Sequence, residues 1–555
     1  MSRRRNRQRM VILYLACIIV ACCALYSNTF KNSFIYDDTD FFSENYSVRN
    51  IANAYKLFTP EWKTFSNEPR YRPVSVLPLF VYYNLFETNQ VYTRAVNLVF
   101  HICAAGLVFF VFLNLEVTPV VAFFTALLFA IHPVNTEVNN IITFNDDVIA
   151  GILIMASLLV LLNGRKAVKS FVMTVSISLL FIIAFFAKES AIVLPLLLFV
   201  VEFFWYEKKV KSYTLYITLS IIAVVLLILK FTVLRHPYEN SVVPFPSNVL
   251  ESIYITAGSL KELLFTVLNP FADLSLAHTL PVVGNTWMAG IIIAVGAGIL
   301  GLLWYSYTNH RKILGWVLFS LIAFIPALYA ILLTRMVSER FMYVSGVGIC
   351  FLIVYFTDQL VNYFSKNGVY RSIVLALICV VFTARAYTRN MEYGVIPSRF
   401  WEIEAVKASK SSMPHCQLAE FYLKKNDYPK VVEYLKKAAE ITPGAVDVYV
   451  ILAHTKILTG DNRDLAYILD CIQRDMPVNA KAYYLRGLAY EKSGNSDKAV
   501  VEYEHALKYR SSYHLPLYAL GRIYKSRRDV VSARKVYDRI LALDPVNIDA
   551  GEIIK

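Results

Sequence analysis

Apolar runs of membrane-spanning length recur along this chain from residue 10 to residue 387, and nothing else in the sequence constrains its fold as strongly. Hydrocarbon holds no water to satisfy backbone N–H and C=O groups, so such runs must fold as helices. Runs near 10–26, 91–114, 119–131, 148–163, 170–187, 190–205, 212–234, 287–307, 312–333, 341–360 and 371–387 predict about eleven crossings of a core about 30 Å thick. Several are short for that thickness, which leaves room for one re-entrant pair. The segment 27–90 carries no clean span, and within it Leu77-Pro78-Leu79-Phe80 suits a helix lying in the interface. A chain that is 57% hydrophobic and 17% charged is excluded from the soluble globular class.

The net charge of +14 falls largely in short stretches between the apolar runs, where it reads as topology information and not as a nucleic-acid footprint. Ser2-Arg3-Arg4-Arg5-Asn6-Arg7-Gln8-Arg9 holds the N-terminus in the cytoplasm. The first run is expected to be retained, because no A-x-A-like site closes it. The loops that then fall on the cytoplasmic side contain Gly164 to Lys169, Glu207 to Lys211, His310-Arg311-Lys312 and Lys366 to Arg371, and all are basic. Parity puts five polar stretches on the opposite face: Asp37-Asp38, His132-Pro133-Val134-Asn135-Thr136-Glu137, Asn145-Asp146-Asp147, Lys188-Glu189 and Ser338-Glu339-Arg340. The chain beyond the last span lies on that face too. Ionisable groups beside a span are expensive and point to function. The cysteines are scattered without CxxC or ligand spacing, so neither a zinc site nor a disulfide framework is indicated.

Past about residue 398 the pattern becomes that of soluble helices. Pro443, Pro477, Ser511 and Pro545 are spaced by 34 residues, the tetratricopeptide period. Tyr483, Gly487, Tyr490, Ala499, Tyr503 and Ala506 mark one repeat; Leu517, Gly521, Tyr524, Ala533 and Tyr537 mark the next. Two weaker copies precede them, from His415 to Pro443 and from Tyr449 to Pro477. Small residues let paired helices approach and aromatics fill the gaps between repeats. Stacked repeats of this kind form a concave groove suited to a polypeptide partner. The expected fold is all-α. A polytopic transmembrane domain occupies 1–397, with its acidic first extracytoplasmic loop at 27–90, and about four repeats form an α-solenoid over 398–555.

Taken together, Tyr36-Asp37-Asp38, Tyr71-Arg72-Pro73, Asn97 with His101, the His132–Glu137 stretch, Lys188-Glu189, Glu339-Arg340-Phe341-Met342-Tyr343 and the terminal repeats make the chain resemble a known family. The first loop with paired acids is similar to that of GT-C glycosyltransferases, which use lipid-linked sugars. The whole chain looks like the transmembrane and tetratricopeptide-repeat (TMTC-type) protein O-glycosyltransferases. It departs from them at Phe144-Asn145-Asp146, where family members often carry Gly-Arg before the acid, and in the compactness of 235–286. Both departures suggest a bacterial relative in the inner membrane with periplasmic repeats, the alternative being an endoplasmic reticulum membrane with lumenal repeats.

The resemblance implies transfer of a mannose-like sugar from a polyprenyl-phosphate donor to Ser or Thr hydroxyls of an acceptor polypeptide held by the repeat groove. Such transfer needs a proton acceptor, cations for the departing phosphate and an apolar slot for the lipid. Resemblance favours Asp37 as base with Asp38 orienting the acceptor, although spacing alone does not separate neighbouring carboxylates. The outward cations Arg72, Lys188 and Arg340, then His132, are the candidates for the phosphate, since arginine offers it a bidentate fork. Lys188 with Glu189, and Glu339 with Arg340, are equally readable as ion pairs tying span ends together. Glu137 and Asp146 are candidates for bonds to the sugar or to the first loop. No cofactor or metal is required. Asp37, Asp38 and Asp40 could still offer hard oxygen ligands to Mg²⁺ or Mn²⁺. The competing class is a non-catalytic membrane-anchored scaffold for envelope or secretory proteins.

Overall fold

The computed structural model describes residues 2–39, 41–42, 45–66, 70–87, 89–167, 170–206, 213–235, 249–270, 272, 274–276, 278–279, 308, 310–334, 336–547 and 551. The chain divides into two compact units. Residues 1–33, 90–229 and 243–395 form the first; residues 34–89, 230–242 and 396–555 form the second. The first loop, assigned from sequence to the membrane domain, thus packs with the repeats from residue 34 onward.

The first unit is an all-helical membrane bundle. Among the described residues eight helices are long and apolar enough to span, or nine if one bent pair counts as a single span. The eight coincide with the runs predicted near 10–26, 91–114, 148–163, 170–187, 212–234, 312–333, 341–360 and 371–387. The helix Tyr213–Phe231 has only 17% of its apolar window buried, and Ile217, Ile221, Val224 and Ile228 form one exposed stripe along it, as a lipid-facing helix requires.

Two predicted spans differ, and a third is not described. The run at 119–131 is the first arm of a pair, Pro119–Ile131 and Pro133–Asn140, bent by 48°. Pro133 causes the break: its ring drives His132 out of the helical region, to ψ 133°, and it brings no N–H for the ladder. The run at 190–205 splits into a 3₁₀ turn, Glu189–Val193, and a 12-residue helix, Leu194–Trp205. The run at 287–307 lies outside the described residues. A further helix, Val249–Leu268, occupies a stretch that the sequence reading left without a span. A two-residue antiparallel pair, His278–Thr279 with Met336–Val337, fixes the approach to residue 338.

In the second unit a lead-in helix, Pro397–Lys407, is followed by four helical hairpins. Their first helices are Met413–Lys424, Val446–Thr459, Ala480–Lys492 and His514–Ser526. Their second helices are Tyr428–Ile441, Leu465–Asp475, Ser496–Tyr509 and Val530–Leu543. Gly487 is where the third pair touches: a Cβ there would lie 2.6 Å from the Tyr503 ring. The turn inside each hairpin repeats at the same 34-residue period. Asn426, Gly460, Gly494 and Arg528 all take the left-handed conformation, at φ 59°, 74°, 82° and 57°. The residue after each, Asp427, Asp461, Asn495 or Asp529, then accepts from a backbone N–H of the next turn, at 3.4, 3.1, 3.2 and 3.1 Å. The sequence puts glycine at only two of these four left-handed positions.

Arginine in that conformation stores strain that glycine lacks. Arg528→Gly is therefore expected to raise the stability of the repeat unit by about 1 kcal/mol, and Gly494→Ala to lower it by about 1 kcal/mol. Thermal unfolding of the two variants, followed by circular dichroism, should move in opposite directions.

Candidate functional site

Asp37 and Asp38 open one helical turn, Asp37–Thr39. Backbone bonds from Asp38 N to Ile35 O (3.2 Å) and from Thr39 N to Tyr36 O (3.0 Å) close it, and Thr39 Oγ1 donates to Phe34 O at 3.3 Å. The rings of Phe34 and Phe42 stack across it at 4.7 Å. Tyr36, the residue before the acids, sits at φ 53°. A large side chain in the left-handed region carries strain of about 1–3 kcal/mol and is held there only by its surroundings. Asp38 is fully buried and Asp37 half-buried. Arg72, in the same unit, is half-buried at the start of the helix Pro73–Phe86. Next to it, burial lifts the Tyr71 phenol above its ordinary range, and its ring lies 4.9 Å from that of Trp62.

In the first unit a polar stretch from His132 to Asp147 is buried almost throughout. Burial of so many amides and acids is offset where they are met by donors or acceptors. Arg94 donates to the carbonyls of Asn140, Asn32 (3.2 Å) and Ser33 (3.1 Å). Asn140 donates to Thr136 O at 3.0 Å and Asn390 Oδ1 at 2.7 Å, and accepts from Asn32 Nδ2 at 2.9 Å. Asn97 donates to Val138 O at 2.7 Å. His101 lies between Ala130 O and Tyr343 OH, each 2.9 Å away. A carbonyl only accepts, so Nε2 carries the ring proton and Nδ1 takes the Tyr343 hydroxyl.

The acids follow the same rule. Glu137 accepts from Ser338 Oγ through one oxygen and from Arg340 N at 3.0 Å through the other. Arg340 lays its guanidinium over the Phe144 ring, 3.5 Å from its centre, so Glu137 and the start of helix Asn145–Ala167 share one cationic neighbour. Stacking uses the face of the guanidinium plane, while its donors lie in the plane. Glu339 is fully buried, with Oε1 accepting from Ser275 N at 2.6 Å. Asp146 and Asp147 occupy the first turn of Asn145–Ala167, where the helix dipole favours anions. Lys188 follows the last residue of Ser170–Ala187, where the dipole favours a cation. Its Nζ lies 2.5 Å from Asp147 Oδ2 and 3.3 Å from Asp146 Oδ2.

The structure therefore brings His132, Glu137, Asp146, Lys188, Glu189, Glu339 and Arg340 into the first unit, and Asp37, Asp38 and Arg72 into the second. Several partners differ from those expected. Lys188 meets two carboxylates of the neighbouring helix, so its charge is already matched. His132 has both ring nitrogens engaged by backbone: Nε2 with Val267 O at 3.0 Å and Nδ1 with Val134 N at 3.3 Å. Glu189 begins the 3₁₀ turn Glu189–Val193. Asp40 and Glu44 lie outside the described residues. Asp147, Ser338, Phe144 and Arg94 complete the network; the first three lay in stretches read from sequence without being given a role, and Arg94 was not read. The signal for them was the density of Asn, Asp and Arg inside otherwise apolar runs. Among the described residues no three His, Cys, Asp or Glu side chains are grouped to hold a metal.

Fold and site thus define a multi-pass membrane protein with a buried polar network and a tetratricopeptide-repeat unit. The tetratricopeptide-repeat family model matches residues 414–444 and 480–513. The chain resembles the TMTC-type proteins along nearly its whole length. It is 20% identical over 593 residues to Protein O-mannosyl-transferase TMTC3 of Mus musculus, covering 96% of this chain and 64% of that protein. Protein O-mannosyl-transferase F38B6.6 of Caenorhabditis elegans is 23% identical over 407 residues, 69% of this chain and 54% of its own length. Protein O-mannosyl-transferase TMTC1 of Homo sapiens reaches 31% over 170 residues, 28% of this chain and 19% of its own. The chain therefore spans less than two thirds of each of these relatives. Among solved structures, the apo Archaeoglobus fulgidus oligosaccharyltransferase aligns at a TM-score of 0.39 and 13% identity, over 71% of this chain and 57% of that one. The Thermus thermophilus repeat protein TTC0263 aligns at 0.26 and 21%, over 28% and 86%. Scores this low do not define a shared fold.

Removing Glu137 leaves the Ser338 hydroxyl and the Arg340 N–H without their acceptor inside the protein. Glu137→Ala is expected to destabilise the detergent-solubilised protein by about 3 kcal/mol, and Ser338→Ala by about 1 kcal/mol. Thermal unfolding midpoints of the two variants should rank in that order.

Proposed function

We propose that this protein is an integral-membrane glycosyltransferase that moves a mannose-like sugar from a polyprenyl-phosphate carrier to Ser or Thr hydroxyls of a polypeptide. The observation that carries the reading is the similarity, along 96% of the chain, to a protein named a protein O-mannosyl-transferase. The strained residue placed directly before paired acids supports it, since such strain gathers at functional sites. The membrane would be a bacterial inner membrane, with the repeats on the periplasmic face and their groove engaging the acceptor.

In this reading the acceptor hydroxyl gives its proton to Asp37 as its oxygen attacks the anomeric carbon. The bond from that carbon to the phosphate oxygen breaks, and the lipid phosphate departs with the electron pair. Asp38, fully buried, orients the acceptor. Arg72, Lys188 and Arg340, then His132, are the cations for the phosphate, arginine offering it a bidentate fork. Arg340 lies over Phe144, one residue before Asn145, the position where the family resemblance leads one to expect an arginine. Protein cations suffice for a phosphate leaving group, and Asp37 and Asp38 would be the hard ligands for a divalent ion if one takes part.

Asp37→Asn keeps the size of the side chain and removes the proton acceptor. Transfer from polyprenyl-phosphate mannose to a Ser/Thr peptide should fall by roughly 10²–10⁴-fold with donor affinity little changed. Asp38→Asn should cost less, and Arg340→Ala should weaken donor binding. Full activity of both Asp variants on a verified acceptor would sink the mechanism.

A further inference from the structure

The stretch that carries Asp37 and Asp38 is gripped from both sides by the repeat unit. Before it, the Tyr36 ring lies 6.0 Å from that of Trp401, in the lead-in helix Pro397–Lys407. After it, residues 46–65 are docked on the last two hairpins. Arg49 Nη1 meets Asp544 Oδ2 at 2.8 Å, with side-chain exposures of 15% and 5%. The guanidinium of Arg49 also lies 3.6 Å over the Tyr46 ring, which stacks on His514 at 4.2 Å. Asn50 and Asn53 both donate through Nδ2 to the carbonyl of Ala542, at 3.0 and 2.7 Å. Ser511 N donates to Thr64 O at 2.8 Å, and Ser512 Oγ to Phe65 O at 2.7 Å.

Each partner supplies what the other lacks. The helix Val530–Leu543 ends near Ala542, and the last carbonyls of a helix have no donor within the helix. Asn50 and Asn53 provide those donors, and Arg49 brings a cation to the negative end of the helix dipole. The loop in turn is built from 3₁₀ pieces, Tyr46–Arg49 and Ile51–Phe58, and pieces of that length do not hold themselves in water. Asn84 of the helix Pro73–Phe86 holds them on one side, bonding Val48 O at 3.0 Å and Ile51 N at 3.2 Å, and the repeat surface holds them on the other.

We propose that the fourth hairpin, through the C-terminal end of Val530–Leu543, is the rigid seat of the acidic loop, with Arg49 and Asp544 as the positioning pair that fixes where Asp37 and Asp38 stand. The role in transfer rests on the function proposed above; the docking does not. Because the pair is shielded and charge-assisted, its loss frees the loop without dismantling the first two hairpins.

Hydrogen–deuterium exchange of the full-length protein in detergent tests this. In Arg49→Glu and in Asp544→Arg, peptides covering 34–66 should exchange about tenfold faster or more, with 413–475 unchanged. The doubly swapped protein, carrying both substitutions, should return most of the protection. Unchanged exchange of 34–66 in both single variants overturns the proposal. Should Arg49→Glu also loosen 413–475, the milder Asn53→Ala decides: faster exchange confined to 34–66 supports the seat, and none overturns it. With polyprenyl-phosphate mannose and a Ser/Thr peptide, the single variants should lower kcat at constant KM for the donor, and the swap should restore it. If the loop loosens while kcat holds, the positioning role is overturned. If instead Asp37→Asn alone remains active, the proposed reaction fails and the docking stands.

Discussion

A carboxylate buried in a membrane bundle must be met by donors or it costs several kcal/mol, and Glu137 is the carboxylate around which the first unit is arranged. Its two oxygens take the Ser338 hydroxyl and the Arg340 amide, which ties the turn after the kinked helix to the turn before Ser345–Phe364. With the backbone at 338–340 held there, Glu339 reaches Ser275 and Arg340 reaches Phe144. Phe144 directly precedes the helix Asn145–Ala167, whose first-turn acids meet Lys188 at the end of the adjacent helix. These contacts follow one another from Glu137 to Lys188.

The second unit solves a different problem. A stack of hairpins buries its apolar faces repeat against repeat. Residues 46–65 lie against the fourth hairpin and the turn before it, and they bring the acidic turn with them. The two polar devices differ in kind: one locks span ends inside the membrane unit, and the other seats a loop on a soluble solenoid.

What could be read from the sequence followed from local periodicity. Eight of the predicted spans stand as long apolar helices, and the 34-residue period gave the hairpins, while their left-handed turn residues were not read from it. The kink at Pro133 was written in the residue itself, yet hydropathy alone counted 119–131 as a separate crossing. Val249–Leu268 went unread because its helix carries Glu251, Lys261 and Glu262 among apolar residues and so matches no span. The partners of Lys188 were misjudged for a physical reason. The sequence reading looked to the neighbour Glu189, whereas the helix packed alongside presents Asp146 and Asp147. The pairing of Arg49 with Asp544 joins residues 495 apart, and no local pattern encodes a contact at that separation. Asp37 and Asp38 stood out because charge is rare in such a chain, while the left-handed Tyr36 beside them left no mark in the sequence.

The central claim is that the chain transfers sugar and does not merely anchor a repeat scaffold. The most direct measurement is mass spectrometry of a Ser/Thr-rich polypeptide incubated with the purified full-length protein in vesicles containing polyprenyl-phosphate mannose. The account predicts hexose added to hydroxyl side chains, dependent on the lipid donor and lost when Asp37 is replaced by Asn. A polypeptide that the repeats bind, yet that never gains a sugar from any polyprenyl-linked hexose supplied, would contradict it and leave the scaffold in its place.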